Sequence, residues 1–126
     1  GDRAFLDNDG NLHITGRVRE QINRAGEKIM PSELERLLDE NENIRMAAIV
    51  GIPDEMLIHK ICAAIVTEDH TITLQSLRSE LAEKGVAAYK LPDLAVKLDS
   101  LPLTSVGKPD KKAIVQMVTD NLVERI

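Results

Sequence analysis

Two apolar runs, "IRMAAIVGI" (Ile44 to Ile52) and "KICAAIVTE" (Lys60 to Glu68), limit what this chain can fold into more than any other feature. Each has the length of a strand, and neither shows the alternation of a strand with one wet face. Both are therefore expected in the middle of a sheet, joined by a turn at Pro53-Asp54.

Helical periods surround this pair. Pro31-Ser32 opens a pattern in which Leu34, Leu37 and Leu38 recur three and four residues apart, with Glu33 and Glu35 near the positive end of the helix dipole. A second pattern starts at Thr73, runs through Leu74, Leu77 and Leu81, and stops near Gly85, where a residue without Cβ can turn left-handed. Ala113, Ile114, Met117, Val118 and Leu122 form a third stripe, whose first turn lies near Asp110. "LAVKLD" (Leu94 to Asp99) reads as a third strand.

At the amino end, Asp9-Gly10 sits between short apolar segments and signals a hairpin. The polar stretch from Arg17 to Ile29 reads as a second small hairpin or loop. The expected fold is α+β: a small central sheet of about three strands flanked by helices, with an N-terminal β-hairpin. A chain of 126 residues suits one core of this kind.

Composition narrows the function. The 16 basic and 21 acidic residues give a net charge of -5 without a basic block or a row of aromatics, so no nucleic-acid partner is expected. Cys62 is the single cysteine, and His13, His59 and His70 stand far apart, so neither a disulfide framework nor a metal cluster is expected. Cys62 reads as a small buried hydrophobe, and Met56 and Met117 as core or edge packing. No apolar run approaches the roughly 18 residues that cross a bilayer, so the expected setting is the reducing cytoplasm, away from membranes. Gly1 in place of methionine, with a turn signal close behind, is read as a sign that the chain was cut from something longer.

Three surface stretches combine glycine with charge: "GRVREQINRAGEKI", "YKLPD" and "PLTSVGK". The last holds Gly107-Lys108 but is not a Walker loop, because Pro102 takes the place of the first glycine and Pro109 follows the lysine. Two readings of Lys108 are open at this level, a solvated lysine near Lys111 and Lys112 or a single long-reach charge for a phosphate. Likewise Gly26 serves a turn that needs positive φ, or the close passage of a ligand, or both.

Taken together and in this order, the stretches resemble the carboxy-terminal subdomain of the adenylate-forming enzymes, the superfamily of acyl-CoA and aryl-CoA synthetases, peptide-synthetase adenylation domains and luciferases. Gly1-Asp2 resembles the end of its Thr-Gly-Asp motif, Gly16 to Glu35 its hinge and glycine loop, and Pro102 to Lys108 its Pro-x-Thr-x-x-Gly-Lys motif. "QINRAGEKI", "YKLPD" and "LPLTSVGKPDKK" are most similar to aryl-acid AMP ligases such as 2,3-dihydroxybenzoate-AMP ligase, although Ala25 stands where many of these have a second glycine.

The resemblance implies a two-step reaction: adenylation of a small aromatic carboxylic acid by ATP with Mg2+, then transfer of the acyl group to phosphopantetheine on an aryl carrier protein or to coenzyme A, in siderophore biosynthesis. By this likeness Lys108 is the adenylation lysine, Asp2 binds the ribose hydroxyls, and Arg17 lies near the nucleotide. Arg19 occupies the hinge, usually Asp or Lys, and Gly26 with Lys28 borders the pantetheine path. No protein metal ligand is expected here. Residues 1–16 are expected to close a preceding large N-terminal domain and 17–126 to form a mobile subdomain, which alone would be inactive. An acyl- or aryl-CoA synthetase, or a non-catalytic carrier-binding module, are the other readings.

Overall fold

The structure, a computed structural model, describes Gln21 to Ile126 together with the backbone of two strands, β1 (Asp2–Leu6) and β2 (Leu12–Arg17). β1 and β2 pair antiparallel, from Leu6↔Leu12 to Asp2↔Arg17, as the hairpin signal requires. The Asp9-Gly10 turn itself lies outside the described residues.

The main sheet is built round one strand. β5 (Ile44–Asp54) and β6 (Ile58–Thr67) are the two apolar runs, paired antiparallel from Asp54↔Ile58 to Ile44↔Thr67. Along its other edge β6 pairs in parallel with β7 (Leu94–Lys97), from Cys62↔Leu94 to Ile65↔Lys97. A parallel neighbour needs a crossover, and helix α2 (Leu74–Glu83) supplies it. Short strands extend the sheet: β3 (Ile22–Arg24) meets β6 at the bridge Arg24↔Ile58 and pairs with β4 (Glu27–Ile29), while β8 (Glu124–Arg125) pairs with β7.

Both faces of this sheet are covered, which is why its strands are apolar without alternation. On one face Ile49, Ile61, Ala63, Ile65 and Ala95 meet Leu34 and Leu38 of α1 (Pro31–Leu38) and Leu77 and Leu81 of α2. On the other, Ala48, Val50, Cys62, Ala64, Val66 and Val96 meet Ile114 and Val118 of α3 (Lys111–Thr119). Met117 packs partly buried on this second face.

Local chemistry sets the helix ends. Pro31 occupies the first turn of α1, where its missing N–H costs no hydrogen bond. Thr73 and Ser76 form a capping box at α2, and Asp110 caps α3 by accepting from Ala113 N–H at 3.1 Å. Gly85 at φ 94° ends α2: its N–H donates to Ala82 and that of Val86 to Leu81, a Schellman pair.

Four expectations need correction. β5 has β6 as its only strand partner among the described residues, so it is an edge strand; an unbroken apolar run reports two covered faces, not two neighbours. Pro53 lies within β5, and the turn falls after Asp54, whose carboxylate accepts from Met56 and Leu57 N–H. Met56 projects from that turn, 90 % exposed, and packs on nothing. Leu122 is outside α3 and exposed, because Asn121 at φ 57° closes the helix with the same Schellman bonds.

Candidate functional site

Lys108 sits at the foot of a tight hairpin loop. Thr104 N–H donates to Lys108 O at 2.7 Å, Gly107 N–H donates to Thr104 O at 2.9 Å, and Lys108 N–H donates to Thr104 Oγ1 at 3.4 Å. A three-residue loop of this pattern closes on a residue in the left-handed region, and Gly107 supplies φ 82°. Leu103 bridges Pro109, and Asp110 N–H donates to Pro102 O at 2.8 Å before capping α3. Each fixed position of Pro-x-Thr-x-x-Gly-Lys therefore has a backbone task. The Lys108 side chain is exposed and makes no ion pair or hydrogen bond among the described residues.

The second glycine loop is the β3–β4 hairpin. Its two central residues, Ala25 at φ 53° and Gly26 at φ 92°, are both left-handed, which matches the twist of the flanking strands. The Asn23 side chain accepts from Gly26 N–H at 2.9 Å, and Ala25 N–H donates to Leu57 O at 2.7 Å. A Cβ on Gly26 would meet nothing within 4 Å, so within this chain the glycine is required by backbone conformation alone. Lys28 is exposed on β4, opposite Asn23.

"YKLPD" proves to be a tie rather than a free loop. Lys90 reaches Glu33 of α1 at 3.3 Å and lies 5.8 Å from the Tyr89 ring centre. Pro92 O accepts from the Arg78 guanidinium at 2.5 Å, and Asp93 binds Arg24 of the hairpin. Arg24 and Asp93 escaped the sequence reading; the available signal was an opposite charge in each of two stretches already singled out.

The hydrogen bond to Asp93, helped by its charge, raises the Arg24 pKa against the opposing effect of burial. Burial pushes the Asp93 carboxyl upward, but hydrogen bonds from Arg24 and Ile61 N–H and the charges of Arg24 and Arg78 outweigh it, holding the group below its ordinary value.

The remaining expected residues lie near the start of the chain. The backbone sets Asp2 opposite Arg17, and Arg19 lies outside the described residues. A cleft of about 430 Å³ between β3, β5 and α3 is lined by Gln21, Ile22, Gly51, His59, Lys111 and Lys112 among others; Gly26, Lys28 and Lys108 do not line it. The described residues contain no group of three side chains that could hold a metal ion. No helix among them is long and apolar enough to cross a membrane.

A lysine and a glycine stand on clamped loops around a small mixed sheet covered on both faces, and the chain's sequence matches one class: the C-terminal domains of AMP-binding enzymes. Residues 33–108 match that family, and the chain belongs to it. Relatives that it resembles are acid-AMP ligases. Salicyl-AMP ligase / salicyl-S-ArCP synthetase of Mycobacterium tuberculosis is 48% identical over 118 residues, which are 94% of this chain and 21% of that protein. 2,3-Dihydroxybenzoate-AMP ligase of Bacillus subtilis is 37% identical over 123 residues, 98% of this chain and 23% of that one. The apo structure of Mycobacterium smegmatis MbtA has the same fold, with a TM-score of 0.80 and 43% identity over 92% of this chain and 23% of its own. The chain thus spans about a fifth of the length of these relatives.

Proposed function

We propose that the chain is the mobile C-terminal subdomain of an aryl-acid AMP ligase of the siderophore type. In this reading residues 17–126 swing against a larger N-terminal domain that holds ATP, Mg2+ and the acid. In the first step a carboxylate oxygen bonds the α-phosphorus of ATP and the bond to pyrophosphate breaks. In the second a thiol sulfur bonds the acyl carbon, the acyl–oxygen bond breaks and AMP leaves. The thiol belongs to phosphopantetheine on an aryl carrier protein, or to coenzyme A.

The observation that carries the proposal is the Lys108 loop: backbone bonds fix it at both ends, while the ammonium is left exposed and unpaired among the described residues. A long-stemmed cation of this kind suits the negative charge that gathers on carboxylate and α-phosphate oxygens during adenylation. Asp2 would accept from the ribose hydroxyls, Arg17 would face the nucleotide, and Arg19 would be the hinge about which the subdomain turns. Gly26 and Lys28 would border the pantetheine arm in the second step.

The placement of the two loops supports the alternation. The two loops are held separately: the hairpin tip by Ala25 N–H on Leu57 O, and the Lys108 loop by Thr104 N–H on Lys108 O and Asp110 N–H on Pro102 O. A rigid rotation could then present one loop or the other.

The test is acid-dependent exchange of labelled pyrophosphate into ATP by the full-length enzyme, with Lys108→Ala alongside. Exchange should require salicylate or 2,3-dihydroxybenzoate and fall on the order of a hundred- to a thousandfold in the variant. Exchange that is indifferent to Lys108, or to the acid, would refute the proposal.

A further inference from the structure

We infer that Arg24 and Asp93 are positioning residues for the thioester-forming step: their ion pair sets where the Gly26 hairpin stands relative to the rest of the subdomain. The inference rests on the two-step reading above and assigns a role to two residues to which that reading gave none.

The geometry is that of a splice between strands. On the edge of β6 that faces β7, Ile58 bridges β3 and pairing with β7 begins only at Cys62. Asp93 fills the interval. Its N–H donates to Ile61 O at 2.8 Å, and its Oδ2 accepts from Ile61 N–H at 2.8 Å, so one residue satisfies both backbone groups of Ile61. The same carboxylate accepts Arg24 Nε at 2.9 and 3.1 Å and an Arg24 terminal nitrogen at 2.8 Å. Both side chains are largely buried, with 25 % and 15 % of their surface exposed. A fork of this kind fixes direction as well as distance, which a lysine in its place would not.

Little else holds the hairpin tip. β3 and β4 have three residues each, too few to be stable as a pair without packing. Their base is anchored, since Ile22 and Ile29 are buried, but Ala25 and Gly26 are exposed. The tip touches the remainder of the sheet through the Arg24↔Ile58 bridge and the Ala25–Leu57 hydrogen bond. That bridge rests on a strained partner, because Ile58 is β-branched and sits at φ 69°. With Arg24 released, the tip can shift by an ångström or more without disturbing the core, and a displacement of that size at a reacting site costs on the order of a hundredfold in rate.

Adenylation should be spared, since Lys108 belongs to a separate loop that is closed by its own backbone bonds and makes no hydrogen bond or ion pair with Arg24 or Asp93. The experiment uses the full-length enzyme as wild type, Arg24→Ala, Arg24→Lys and Asp93→Asn. Pyrophosphate exchange reads the first step. Single-turnover transfer from enzyme-bound salicyl- or 2,3-dihydroxybenzoyl-adenylate to a phosphopantetheinylated aryl carrier protein, and separately to free coenzyme A, reads the second. For Arg24→Ala, transfer should fall by roughly ten- to a hundredfold while exchange stays within about threefold, with Arg24→Lys in between. Hydrogen exchange of the Ala25 amide should accelerate in the same order. Unchanged transfer, an equal fall in both steps, or an Ala25 amide protected as in wild type would overturn the inference. A wild-type enzyme that exchanges pyrophosphate but transfers to neither thiol would overturn the two-step reading first, and this inference with it.

Discussion

Glu35 crosses the edge of the sheet, and its removal should be among the costlier single changes outside the apolar core. It stands on α1, packed on one face, yet its Oε2 accepts both Ile49 N–H of β5 and Lys111 Nζ of α3, on the other face, each at 2.8 Å. Ile49 is fully buried, so Glu35→Ala leaves a backbone donor without water or partner, a loss of about 1–3 kcal/mol. The ion pair, whose side chains are 22 % and 23 % exposed, adds about 0.5–1 kcal/mol after screening. The total is about 1.5–4 kcal/mol. An unfolding entropy of about 2.1 cal/mol/K per residue over 126 residues converts each kcal/mol into about 4 °C, so thermal denaturation should shift down by about 6–15 °C. Glu35→Gln keeps an acceptor for Ile49 and should lose about 1 kcal/mol. Because Lys111 has further contacts, a double-mutant cycle with Lys111→Met isolates the pair. A Glu35→Ala loss below about 1 kcal/mol would show that water reaches Ile49 N–H and would refute the reasoning; so would Glu35→Gln matching the alanine variant.

Three further outcomes can be checked. Gly107→Ala meets no steric obstacle but must hold φ 82°, so it should lose about 1 kcal/mol in a denaturant titration and slow pyrophosphate exchange in the full-length enzyme; a neutral result in both would mean the loop is not fixed by that glycine. Burial pushes the Cys62 thiol up to about 12, so iodoacetamide at pH 8 should alkylate the native protein at least about a hundredfold more slowly than the unfolded chain, and equal rates would mean that β6 is not covered. Asp93 has a lowered folded pKa, so its stabilising contribution is complete above the ordinary carboxylate value near 4 and is lost as pH falls through the lowered one. The gap in Tm between wild type and Asp93→Asn should therefore be widest above about pH 5 and narrow below about pH 4, whereas a gap independent of pH would contradict the assignment. Asp54 and Asp69, also lowered by their hydrogen bonds, titrate in both proteins and cancel in that comparison.

The features legible from sequence were those whose cause is local. Pro31, Thr73, Asp110 and Gly85 mark helix ends because capping and left-handed turns depend on residues a few positions apart. Gly26 and Gly107 announced their loops for the same reason, and Lys108 stood beside one of them. Pairing was less visible: nothing in "IRMAAIVGI" tells a covered edge strand from a central one, since side-chain pattern records faces and not neighbours. Leu122 continued the α3 period in sequence, but Asn121 turned the chain before it. Arg24 and Asp93, 69 positions apart, lie beyond any periodicity, and only the fold brings their charges together. Met56 misled because an apolar side chain in a turn carries no sign of which way the turn points.

The exposed position of β5 bears on how the molecule behaves in company. A long apolar strand at a sheet edge offers its outward amides to any other chain that can add a strand. Here Glu35 takes the outward N–H of Ile49, and by the two-residue period Pro53 occupies the same edge with no N–H to give. Among the described residues, this edge of the sheet is thus guarded against strand-to-strand self-association. When Glu35 is lost, the damage should therefore grow with protein concentration, as intermolecular sheet forms along β5 before the core itself gives way.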